Sequence, residues 1–154
     1  MIPQKINKIL CPVDLSPFSL PVIDYAKRMS RHIEGSKIYL LHVIKDPLDP
    51  IYKCEVEKDK VFECVEKKVH EMLQQIDEAD EKMRERIKTI VKIGDPTNKI
   101  LDFADKEHMD LIVMSTHGRT GMSRVLMGSI AENIVRKGKV PVMMCNKQSL
   151  MVKE

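Results

Sequence analysis

What most restricts the folds open to this chain is the order in which its hydrophobic periodicity switches. Five short apolar runs rich in β-branched residues alternate with stretches whose apolar positions recur every three or four residues. Residues 6–13 (INKILCPV) read as a buried strand, closed by Asp14. Ser16 then offers an N-cap with Pro17 at the first helical position, and Val22, Ile23, Ala26, Met29, Ser30 and Ile33 share one stripe before Gly35. Further strands are expected at 37–44 (KIYLLHVI), 87–93, 110–114 (DLIVM) and 140–145. The DLIVM run has no alternation, as expected of a parallel strand covered on both faces.

The intervening stretches read as helices. Residues 55–86 are highly charged, yet Val61, Val65, Val69, Met72, Ile76, Ala79 and Met83 keep a helical spacing. One long amphipathic helix is expected there, covering the sheet in preference to forming a coiled-coil arm. Gly94-Asp95-Pro96-Thr97 turns into a helix whose inner face is Ile100, Leu101, Ala104 and His108, and residues 128–136 form the last helix. Strands alternating with helices imply right-handed crossovers and an open parallel sheet with helices on both faces. At 154 residues, without a linker or repeat, the chain is expected to be one α/β domain over 1–147 with a short tail, 148–154.

Composition removes several function classes. A charge of +3 and only 4% aromatic residues without Trp argue against a nucleic-acid surface. No apolar stretch reaches the ~20 residues of a membrane span, and residues 1–14 do not read as a signal peptide, so a soluble, cytoplasmic protein is expected. Cys11, Cys54, Cys64 and Cys145 are scattered, which argues against a zinc site and against a disulfide framework. Cys11 and Cys145 lie in strand-like runs and are expected to be buried thiols.

Open parallel sheets bind ligands beyond the carboxyl ends of their strands. After the fourth strand the chain enters Ser115-Thr116-His117-Gly118, with Gly121 following and Gly128-Ser129 at a helix start. Glycines admit close approach to the backbone, and the free N–H groups of a first helical turn suit a phosphate. Between residues 116 and 139 five basic residues (Arg119, Arg124, Arg136, Lys137, Lys139) face one acid, Glu132. Neither GxxxxGK[ST] nor GxGxxG is present. By mechanism alone, a phosphate loop and a bare glycine loop both stay open.

Four segments together resemble the universal stress protein family. They are Ile9-Leu-Cys-Pro-Val-Asp14, Leu41-His-Val43, Gly94-Asp-Pro96, and Met114-Ser-Thr-His-Gly-Arg-Thr-Gly-Met-Ser-Arg-Val-Leu-Met-Gly-Ser-Ile-Ala-Glu-Asn-Ile-Val-Arg136 with Val140-Pro-Val-Met-Met-Cys145 after it. The resemblance spans essentially the whole chain. It implies a Rossmann-like, adenine nucleotide alpha hydrolase-like sheet of order 3-2-1-4-5 and a homodimer joined through the last strand, about 140–145. An apolar edge strand is independently expected to be covered by a partner, and Pro141 is tolerated at such an edge.

One branch of that family binds ATP through Gly-x2-Gly-x9-Gly-Ser/Thr. Here Gly118, Gly128 and Ser129 match, and Ser115 stands in place of the first glycine. The resemblance implies that Asp14 bonds the adenine or ribose, with Pro12 and Val13 shaping that wall and Val43 packing on the base. Met114, Ser115, His117 and Gly118 would line the ribose and first phosphates, and Gly128, Ser129 and Ile130 the terminal phosphates, with Mg²⁺ carried by the phosphates. ATP, AMP and ADP are all candidates. Arg119 and Arg124 are candidate phosphate clamps, and His117 has no catalytic partner in its loop. The reading expects a nucleotide-binding regulatory dimer in stress response. Its rivals are a nucleotide-free interaction module and a slow ATPase; no catalytic residue is assigned, and enzymatic activity is expected to be weak hydrolysis at most.

Overall fold

Five apolar runs form parallel strands in a computed structural model that describes residues 5–47, 49, 60–76, 81–116 and 127–145. In chain order the elements are β1 (Lys8–Pro12), α1 (Ser19–Arg31), β2 (Lys37–Ile44), α2 (Val61–Ile76), α3 (Glu81–Glu85), β3 (Ile87–Ile93), α4 (Pro96–Lys106), β4 (Leu111–Ser115), α5 (Ser129–Lys137) and β5 (Val142–Cys145). The sheet runs β3-β2-β1-β4-β5, as the resemblance implied. Register places Ile9 beside Ile38 on one side and Leu111 on the other, so the apolar side chains of the central strands stack into layers.

Alternation along each strand divides the core into two faces. Ile9, Cys11, Leu40, Ile44 and Val113 pack with Val22, Ile23 and Ala26 of α1 and Val61, Val65 and Val69 of α2. Leu10, Leu41, Val43, Ile112 and Met114 pack with Ile100 and Ala104 of α4 and Ala131 and Ile134 of α5. Two covered faces explain why β2 and β4 are buried almost throughout, whereas the edge strand β3 has only half-buried and exposed residues.

The local chemistry sets several boundaries differently from expectation. The stretch expected to be one helix over 55–86 is two, α2 and α3, and residues 77–80 and 51–59 lie outside the described residues. Its stripe does cover the sheet, with Val61, Val65 and Val69 at 0–1% exposure. α1 begins at Ser19 with Phe18 as N-cap, so Ser16 is not the cap. The Ser16 hydroxyl accepts the Phe18 N–H at 3.3 Å, holding a turn ahead of the helix. His108 is exposed and stands past the end of α4 with φ 53°, while Met109 turns into the core in its place.

Asp95 caps α4 by accepting the Asn98 N–H at 2.9 Å, with Pro96 inside the first turn. β5 starts at Val142, and Pro141, which has no N–H, lends only its carbonyl to Ile112 N–H at 2.9 Å. Cys11 and Cys145 are buried free thiols. Cys64 is disulfide-bonded, with its partner outside the described residues, which corrects the reading of the cysteines from spacing. Pairing is decided by spatial approach, which scattered positions do not disclose. Among the described residues no helix is long and apolar enough to cross a membrane.

Candidate functional site

Strand order reverses between β1 and β4, and there the carboxyl ends of the strands leave a cavity of about 690 Å³. That volume lies within the range of small-molecule sites. Pro12, Val13 and Asp14 form one wall, and Val43 from β2 stands beside them. Met114 and Ser115 form the floor at the end of β4, and Gly128, Ser129 and Ile130 close the far side from the start of α5. Every expected site residue within the described part therefore borders one space. His117, Gly118, Arg119 and Arg124 lie outside the described residues.

The turn after β1 is held by an unusual set of bonds. Val13 N–H donates to the Leu41 carbonyl at 2.9 Å. His42 Nδ1 lies 2.7 Å from the Val13 carbonyl, which can only accept, so that nitrogen carries the proton. Asp14 Oδ1 accepts both the Ser16 N–H at 2.9 Å and the Ser19 hydroxyl at 3.0 Å, while Ser19 Oγ accepts the Asp14 N–H at 3.3 Å. Oδ2 of Asp14 accepts no hydrogen bond among the described residues. Leu15 sits at φ 63°, a left-handed conformation that costs an ordinary side chain about 1–2 kcal/mol.

Backbone donors gather at the opposite end. Gly128 N–H donates to the Thr116 carbonyl at 2.7 Å, and Thr116 N–H to the Cys145 carbonyl at 3.0 Å, so both ends of the glycine-rich segment are pinned to the sheet. Gly128 is the N-cap of α5 and supplies no side-chain cap, leaving the N–H groups of Ser129, Ile130 and Ala131 without a carbonyl in the helix. These groups sit at the positive end of the helix dipole. Among the described residues, a Cβ built on Gly128 would meet only the Thr116 carbonyl oxygen, at 3.5 Å, and the residue's φ of −68° suits any amino acid. No described contact therefore demands glycine at this lining position of the cavity.

Of the five basic residues between 116 and 139, the three that are described are not gathered at this cavity. Arg136 pairs with Glu132 and Lys139 with Asp105 at 3.0 Å, and neither of these basic residues nor Lys137 lines it. Among the described residues, the charged groups that line it are Asp14, Lys45, Asp46 and Asp49, of which only Asp14 was singled out from the sequence. His42, Ser19 and Thr116 were not singled out either. His42 carried a legible signal, a polar residue inside an otherwise apolar strand. Beneath the site, burial pushes the Cys11 thiol far up, aided by Cys145, and burial likewise raises Cys145; both stay protonated and unreactive. Among the described residues no three His, Cys, Asp or Glu side chains could share a metal ion.

Comparison with known proteins fits this architecture. Universal stress protein MJ0531 of Methanocaldococcus jannaschii is 30% identical over 141 residues, which cover 92% of this chain and 82% of that protein. The solved structure of MJ0577 from the same organism superposes with a TM-score of 0.66 at 26% identity, covering 92% of this chain and 96% of the other. A universal stress protein from Archaeoglobus fulgidus, solved in complex with dAMP, shares the fold with a TM-score of 0.62 at 19% identity over 94% of this chain and 98% of its own. The family model described as "Universal stress protein family" matches residues 5–146. The chain belongs to the universal stress protein family.

Proposed function

We propose that this protein is an adenine-nucleotide-binding regulator, with ATP as its ligand, acting in stress response as a homodimer joined through β5. The observation that carries this reading is the start of α5. The first residues of the helix, whose N–H groups have no intrahelical carbonyl, line the cavity at an N-terminus without a side-chain cap, behind a glycine that no contact among the described residues demands. An anionic ligand is the simplest partner for such donors. The residues fit a nucleotide laid across the switch point. Gly128, Ser129 and Ile130 would bind the terminal phosphates, with His117 and Gly118 in the connecting loop. Met114 and Ser115 would line the ribose and first phosphates.

At the other end Asp14 Oδ2 would accept from the base or ribose, with Val13 and Pro12 alongside, and Val43 would offer the base an apolar surface; all four line the cavity. The dAMP complex of the Archaeoglobus relative makes an adenine nucleotide the natural candidate. Mg²⁺ would travel with the phosphates, supplying charge neutralisation without a carboxylate cage. Serine at 115 is compatible with this reading because it is small and sits at the strand end, with its backbone in the ladder opposite Cys145. Occupancy would alter the glycine loop and so the surface offered to a partner.

Calorimetric titration with ATP and Mg²⁺, run beside Gly128→Asp, tests the reading. Saturable binding by the natural chain and its loss in the variant are expected, since a carboxylate among the phosphates is repelled. No binding by the natural chain would favour the nucleotide-free interaction module.

A further inference from the structure

The β1–α1 turn is tied down more heavily than a strand-to-helix connection needs. Both backbone polar groups of Val13 are held by β2, the N–H by the Leu41 carbonyl and the carbonyl by His42 Nδ1. His42 is 4% exposed, on the face of β2 where Leu40 and Ile44 pack into the aliphatic core. An imidazole buried there costs desolvation that an aliphatic residue would avoid. Ser19, also buried, exchanges two hydrogen bonds with Asp14. Between these anchors Leu15 is kept left-handed, a strain that persists only where its surroundings over-determine it.

We propose that His42 and Ser19 are positioning residues: together they clamp the β1–α1 turn so that Asp14 presents Oδ2 to the nucleoside end of the ligand. This rests on the nucleotide reading and deepens it. The clamp gives Oδ1 two donors, which fixes the plane of the carboxylate, and leaves Oδ2 without a hydrogen bond among the described residues in a side chain that lines the cavity. Preorganisation of this kind removes the ordering cost of binding from the ligand. It acts on the nucleoside end alone, because the donors of α5 belong to a different part of the fold.

The test uses His42→Leu, His42→Asn and Ser19→Ala in the full chain, with two readouts. The first is hydrogen exchange of the Ser16 amide, donor to Asp14 Oδ1, in the ligand-free protein. The second is competition by ATP, adenosine and inorganic tripolyphosphate against a fluorescent ATP analogue. His42→Leu and Ser19→Ala should speed Ser16 exchange and weaken ATP and adenosine about tenfold, the scale of one lost hydrogen bond. Tripolyphosphate should compete as before. His42→Asn, whose side-chain N–H reaches roughly where Nδ1 stands, should recover ATP affinity to within about threefold of the natural chain.

Undiminished ATP affinity in folded His42→Leu overturns the proposal, as does an equal loss for tripolyphosphate. Should His42→Leu not fold, Ser19→Ala decides by the same criteria. A natural chain that binds no adenine nucleotide overturns the nucleotide reading instead, and unchanged Ser16 exchange in the variants then overturns the clamp itself.

Discussion

Replacing Gly128 by alanine separates what the fold requires from what a ligand requires. Among the described residues the added Cβ would touch only the Thr116 carbonyl oxygen, at 3.5 Å, an ordinary contact, and φ at −68° is open to alanine. Two small effects on stability oppose each other. Alanine is a poorer N-cap than glycine, which costs about 0.5–1 kcal/mol. Against this, restricting the unfolded chain contributes about 0.4–1 kcal/mol to stability. The net change should be within about 0.5 kcal/mol, which for a domain of this size moves Tm by no more than about 2 °C.

Binding should respond far more strongly. Gly128 lines the cavity next to Ser129 and Ile130, and under the nucleotide reading a phosphate must approach their N–H groups to about 2.7–2.9 Å, where an added methyl group would crowd it. Pushing it back by one bond length forfeits one or two charge-assisted hydrogen bonds, about 1.5–3 kcal/mol, or roughly 10- to 150-fold in ATP affinity. Thermal unfolding and calorimetric titration of the same preparation measure both sides. Natural-like affinity in Gly128→Ala would refute the reasoning, as would a fall in Tm beyond about 5 °C, which would make the glycine a requirement of the fold.

Other expectations follow from the same structure. Leu15→Gly relieves a left-handed side chain worth about 1–2 kcal/mol, but it adds a glycine entropy cost of about 0.5–1 kcal/mol and removes a half-buried side chain packed on the core, so urea unfolding should show no gain in stability. The two free thiols give a pH dependence. Their folded pKa values lie above the ordinary 9.0, so the stability they contribute is complete below pH 9 and is lost as the unfolded thiols ionise above it. The slope approaches about 1.4 kcal/mol per pH unit per thiol, and the urea midpoint of Cys11→Ala should fall less steeply between pH 8 and pH 10. Val142→Lys, on the half-buried edge strand β5, should convert a species of about twice 17.8 kDa to one of 17.8 kDa in light scattering.

Much of the architecture was legible because the periodicity is strong where burial is strong. The runs KIYLLHVI and DLIVM become the strands β2 and β4, buried almost throughout, and the Gly94-Asp95-Pro96 signal becomes the capped start of α4. Boundaries failed where local and tertiary demands compete. Ser16 and Pro17 look like a helix start, but the bonds of Asp14 with Ser16 and Ser19 hold them in a turn and delay the helix to Ser19. His108 has helical spacing, yet the chain reverses at φ 53° to bury Met109.

At the site, glycines and strand ends pointed to the region where the structure has its cavity, because switch-point geometry follows from topology alone. Of the basic residues counted between 116 and 139, Arg136 and Lys139 instead pair with Glu132 and Asp105, away from the cavity lining. His42 and Ser19 depend on contacts between β2, the β1–α1 turn and α1, which no local pattern encodes.

The most direct measurement of the central claim is the identity of any ligand carried by the purified protein, released by acid and identified by chromatography and mass spectrometry. The account predicts an adenine nucleotide at close to one per chain, or an empty chain that binds ATP with Mg²⁺ when offered it. A chain that emerges empty and takes up no adenine nucleotide would contradict it.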